Sequence, residues 1–79
     1  MTDHLSDARK LLAEALDVEV DEVAADASMQ TLDSWTSLGH MRLMLALEET
    51  VGRELDPVVI VEIVTVTDIA AILEQRQQA

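Results

Sequence analysis

Leu5, Ala8, Leu11, Leu12, Ala15 and Leu16 recur at steps of three and four with charged residues between them, and a second helical pattern runs from Ser37 to Val51. This spacing gathers apolar side chains on one face of a helix, which must then be buried against something else. Between the two patterns the text changes to DVEVDEVAADASMQTLDSW, which has no sustained stripe. A connection of about 20 residues without structure is unusual in a compact domain and tends to be functional. Val18, Val20, Val23, Met29 and Leu32 are the side chains expected to tack it onto the core.

The pattern from Thr2 to Leu16 predicts helix I, and that from Ser37 to Val51 predicts helix II, with Gly52 placed to end it in a left-handed cap. At roughly 100° per residue, Leu43, Met44, Leu47 and Val51 share one face, which should be core. Leu38, Met41 and Leu45 fall nearly opposite, mixed with Arg42, Glu48 and Glu49. That second stripe is either covered by the long loop or waits for a partner. Asp56-Pro57 is a good helix opening, although VVIVEIVTV after it is rich in strand-preferring β-branched residues. The only available mate is DVEVDEV, and an isolated two-stranded pair is marginal in water, so a short helix III is expected. Thr65 and Asp68 form a capping-box pattern ahead of Ile69, Ala70, Ile72 and Leu73, which predicts a helix IV fraying into the polar tail EQRQQA. The whole chain, residues 1–79, reads as one all-α domain of four helices.

Such a short domain has a modest core. With no Phe or Tyr and a single Trp, the core must come from Leu, Val, Ile, Ala and Met, and a pliable interior is expected. Trp35 should anchor the loop just ahead of helix II. There is no cysteine, so any thiol chemistry would have to be borrowed from a cofactor. The net charge of −11 repels phosphate backbones and anionic headgroups, which argues against nucleic acid and membrane as partners. MTDHLSDARK lacks the apolar region of a leader and PVVIV is too short to span a bilayer, so a cytoplasmic location is expected. The initial Met and polar tail suggest a free-standing protein, expected to act as a monomer. No D-x-[DN]-x-[DN]-G run is present and no metal site is expected. Nothing suggests an oxyanion hole, so the chain does not read as an enzyme, and His40 is assigned a surface or partner-contact role.

The segment Thr31 to His40, TLDSWTSLGH, contains two serines. Helix order, the long first loop and the phrase Ala46-Leu47-Glu48-Glu49 resemble the acyl carrier proteins, small acidic domains that carry acyl groups on a phosphopantetheine arm. In that family a D-S-L tripeptide opens helix II, and its serine lies nine residues before the Ala of an A-L-E-E segment. Counting back nine from Ala46 gives Ser37, not Ser34, so the tripeptide is Thr36-Ser37-Leu38. Some carriers of specialised pathways read W-D-S-L followed by a His, and Trp35 to His40 is similar to that subgroup. VDEVAADASM and EIVTVTDIAAIL resemble the family's text before the motif and between helices III and IV. The first turn of a helix offers unpaired N–H groups and the positive end of the dipole, which suit a phosphodiester on Ser37. For Ser34, ordinary capping or solvent exposure is the preferred reading.

The resemblance implies a four-helix acyl-carrier-like bundle and covalent phosphopantetheine moved from coenzyme A to Ser37 by a phosphopantetheinyl transferase. Acyl or aminoacyl ligases, synthases and transferases, of fatty-acid, polyketide or other pathways, would be the further partners. Docking would use Thr36, Leu38, Met41, Arg42, Leu45, Glu48 and Glu49. An acyl chain could lodge between helices II and III against Met44, Leu47, Val59, Ile60 and Ile63, although a filled core fits those residues equally. Two departures from the family stand out. Thr36 replaces the motif's Asp, and Arg42 stands where many fatty-acid carriers have an acidic residue. The first bears on modification and keeps open an unmodified interaction module, while the second points to specialised partners. Acyl and aminoacyl cargo are not separated by the sequence.

Overall fold

The computed structural model describes residues 4–78, with side chains as far as residue 75. Four α-helices follow one another: α1 (His4–Leu16), α2 (Ser37–Val51), α3 (Pro57–Glu62) and α4 (Val66–Gln78), with a 3-10 turn at Val20–Glu22 inside the long connection. Thr2 and Asp3, expected at the start of the first helix, lie outside the described residues, as does Ala79. α1 is the central element and packs against both α2 and α4. Its buried Ala8 and Leu12 meet Leu43 and Leu47 of α2 and Val66 and Ile69 of α4 in one aliphatic core. Among the described residues, no helix is long and apolar enough to cross a membrane.

Helix ends follow from local chemistry. α1 stops because Asp17 turns left-handed at φ 58°, letting the Val18 N–H reach the Ala13 carbonyl at 3.0 Å. Asp tolerates that conformation better than most residues. Gly52 does the same for α2 at φ 77°, as expected, and donates to Glu48 O at 2.8 Å. The Asp56 side chain accepts from the Val58 N–H at the start of α3, with Pro57 at the first helical position. The VVIV run is helical, not strand. For α4 the box is reciprocal: Thr65 Oγ1 accepts from Asp68 N–H at 3.1 Å, and Asp68 Oδ2 accepts from Thr65 N–H at 3.1 Å and Val64 N–H at 3.0 Å. The expected fraying is corrected in one respect, since the helix continues through Glu, Gln and Arg, all good helix formers, to Gln78.

The long connection is fastened at several points. Val23 and Ala27 are fully or nearly buried, and Val18, Val20, Met29 and Leu32 pack against the core, as their apolar character predicts. Two ties have no apolar signature. Arg9 of α1 donates from Nε to Val23 O at 2.6 Å and from a terminal nitrogen to Val20 O at 3.1 Å. Met29 N–H donates to Val64 O at 2.9 Å and Val66 N–H to Ala27 O at 3.1 Å, stitching the loop to the α3–α4 junction.

Candidate functional site

The loop ends on Trp35, which is buried at 3% exposure and donates its backbone N–H to Leu32 O at 2.9 Å. The chain then turns, with the Thr36 N–H on Ser34 O at 3.0 Å. Thr36 is extended (φ −87°, ψ 176°) and is the N-cap of α2: its Oγ1 accepts from Gly39 N–H at 3.2 Å and its carbonyl from His40 N–H at 2.8 Å. Ser37 is the first helical residue, and its side chain is exposed. The Ser37 and Leu38 N–H groups precede the first rung of the helical ladder and have no carbonyl within α2 to bond. An accessible hydroxyl beside those groups and the positive end of a 15-residue helix fits a phosphodiester anion. Ser34, one turn earlier, is half-buried.

Gly39 is what brings this turn down onto α1. A Cβ at that position would run into the end of the Leu16 side chain, so a larger residue would require that leucine to shift.

His40, read from the sequence as a surface or partner-contact residue, makes two hydrogen bonds inside the molecule. It is half-buried, and its ring stands between two elements. The Trp35 indole Nε1–H donates to His40 Nδ1 at 3.1 Å, and His40 Nε2 lies 3.0 Å from the Ile60 carbonyl in α3. Indole is a donor only, so Nδ1 is the acceptor and Nε2 carries the proton it donates to Ile60. The two rings are 6.0 Å apart and tilted by 32°. The signal for this bridge was present as a Trp and a His five apart, but a bond to a carbonyl 20 residues away has no sequence signature.

The second stripe of α2 is uncovered: Leu38, Met41 and Leu45 are 58%, 65% and 64% exposed. Arg42 and Glu49 are exposed beside it. Glu48 is half-buried, and its Oε2 accepts from the Leu55 N–H at 2.8 Å, so this carboxylate closes the α2–α3 link as well as facing outward. Met44 and Leu47 belong to the buried core. Val59 and Ile60 are half-buried and Ile63 is buried. Val59 and Ile63 border an open groove of about 250 Å³ shared with Ile72 of α4, a site that does not include Met44 or Leu47.

A comparison with curated proteins finds no match. The sequence does match the phosphopantetheine attachment site family across residues 6–73, which takes in all of α2 and α3 and most of α1 and α4. Carrier domains of this family are generally non-catalytic, and they interact with phosphopantetheinyl transferases and biosynthetic enzymes. With a four-helix bundle whose second helix opens on an exposed serine, and with a family match over most of its length, the chain belongs to the phosphopantetheine attachment site family, the carrier proteins whose covalent prosthetic group is phosphopantetheine.

Proposed function

We propose that Ser37 carries the arm and that the chain is an acyl carrier protein of a specialised biosynthetic pathway. The observation that carries this reading is the exposed Ser37 hydroxyl at the first helical position, held there by the Thr36 cap. Thr36 supports it further. An Asp at that position would accept the same Gly39 N–H, so the change from the family's Asp keeps the local geometry and removes only a charge.

On this reading the Ser37 oxygen bonds to the phosphorus of coenzyme A's pantetheine arm as the bond to the departing nucleotide phosphate breaks. The Ser37 proton goes to a base of the transferase, which also supplies Mg²⁺. The thiol of the arm provides a thioester in a chain that has no cysteine. Leu38, Met41 and Leu45 then form the apolar contacts for partner enzymes, flanked by Glu49 at one end and by Arg42 within the stripe. A partner that meets Arg42 needs an acidic or neutral patch there, which suits a dedicated acyl ligase better than enzymes shaped for an all-acidic carrier. An acyl chain reaching Met44 and Leu47 would pass between α2 and α3 and displace Val59, Ile60 and Ile63 from their present packing.

Intact-mass spectrometry after incubation with coenzyme A, Mg²⁺ and a broad-specificity transferase tests the assignment, with fragmentation to place the group. One phosphopantetheine is expected, abolished in Ser37→Ala and retained in Ser34→Ala. Addition to Ser34 would overturn the register. No addition, beside a control carrier modified in the same tube, would point to an unmodified docking module.

A further inference from the structure

α3 is six residues long, and none of them is fully buried. A helix this short does not persist by its own hydrogen bonds and needs an outside hold. Its final turn also leaves carbonyls without an intrahelical donor. Ile63 N–H occupies the Val59 carbonyl at 3.1 Å, and Val64 N–H, the next candidate for Ile60 O, is taken by Asp68 at 3.0 Å. The donor that reaches Ile60 O is His40 Nε2, from α2, at 3.0 Å.

His40 lies three residues beyond Ser37 and its ring is oriented by the Trp35 indole. The Trp35 bond fixes the tautomer, and only with the proton on Nε2 can the ring donate to α3. The chain from buried Trp35 through His40 to Ile60 thus links the turn that presents Ser37 to the six-residue helix α3.

We propose that His40 is a positioning residue, a latch that holds α3 against α2, and that release of the His40–Ile60 bond opens the space between these two helices. The role of that opening, entry of an acyl chain, rests on the carrier function proposed above. The latch itself does not.

The test is backbone amide hydrogen exchange on the unmodified chain. His40→Leu keeps the volume and removes both hydrogen bonds. At least tenfold faster exchange is expected at Ile60 and Ile63, whose N–H groups bond the Asp56 and Val59 carbonyls at the two ends of α3, with core amides of α1 and α4 changed much less. His40→Gln, which also offers an acceptor and a donor side by side, should recover most of the protection. Trp35→Phe keeps a ring but removes the indole donor, and should loosen α3 by a smaller factor; it also serves if His40→Leu folds poorly. In the parent protein, nitrogen-15 spectra of the imidazole should show Nε2 protonated and Nδ1 bare. Unchanged α3 exchange in His40→Leu, equal acceleration throughout the molecule, or the opposite tautomer would each overturn the latch. Because no arm is needed, a chain that cannot be loaded on Ser37 would lose the carrier reading and leave this result standing.

Discussion

The α1–α2–α4 side and the α3 side of this molecule are built from the same aliphatic residues and are held in different ways. Leu12, Leu43, Leu47, Val66 and Ile69 are fully buried between three helices of 13 to 15 residues. α3 has Val58 at 64% and Val61 at 76% exposure, and it is tied down by the Asp56 cap, the His40 bridge and partial burial of Val59 and Ile60. Burial of apolar area is the dominant stabilising term, whereas each hydrogen bond contributes about 1 kcal/mol net. One side therefore rests on shared apolar burial and the other on a few local ties.

Truncation at matched positions gives the largest contrast. Leu47→Ala, at a fully buried site, should cost about 2–5 kcal/mol. That is a large fraction of the roughly 5–15 kcal/mol that stabilises a typical domain. Val61→Ala, on the exposed face of α3, should stay within about 0.5 kcal/mol. Urea unfolding followed by circular dichroism measures both, and similar losses at the two sites would show that α3 is as integral as the core.

A smaller effect is expected where the two sides join. Asp68 accepts from both Val64 and Thr65 N–H groups, so one carboxylate ends the α3 segment and starts α4. Asp68→Ala strands both donors and should cost about 1–2 kcal/mol. Asp68→Asn, which keeps one acceptor oxygen, should cost less. If the loss in urea unfolding comes with faster exchange confined to residues 60–66, the junction belongs to the α3 side; acceleration along α4 would assign it to the core.

Most of the scaffold was legible because its signals are local. Gly52, Asp56-Pro57 and the Thr65–Asp68 pair act on backbone groups within four residues of themselves, and each ended or began a helix where its chemistry required. The end of α1 was visible only through the apolar pattern, since Asp17 in a left-handed turn is a less common cap than Gly. What could not be read was non-local. Arg9 reaches carbonyls 11 and 14 residues away and His40 one 20 residues away, with polar atoms that leave no periodic trace. The candidate site divides in the same manner. Ser37 was singled out by its spacing to Ala46-Leu47-Glu48-Glu49, and its place at the start of α2 followed from local signals, but whether the loop covers Leu38, Met41 and Leu45 depended on where Arg9 and the Val64–Val66 contacts pin that loop.

The smallest change in stability is expected at Thr36, and it carries the most information about function. Thr36→Val removes the Oγ1 that accepts from Gly39 and should cost about 1 kcal/mol, a loss of cap at the edge of the well-packed side. Thr36→Asp restores an acceptor and adds a negative charge at the positive end of α2, so stability should hold or rise by a few tenths of a kcal/mol. The rate of phosphopantetheine transfer by a general transferase separates the two roles this residue can have. If Thr36→Asp speeds transfer several-fold while Thr36→Val slows it, the side chain both frames Ser37 and is read by the transferase, and the native Thr selects a dedicated enzyme. If Thr36→Asp transfers at the native rate, the side chain acts on Ser37 only through the cap, and selectivity must come from Arg42 and the exposed apolar stripe.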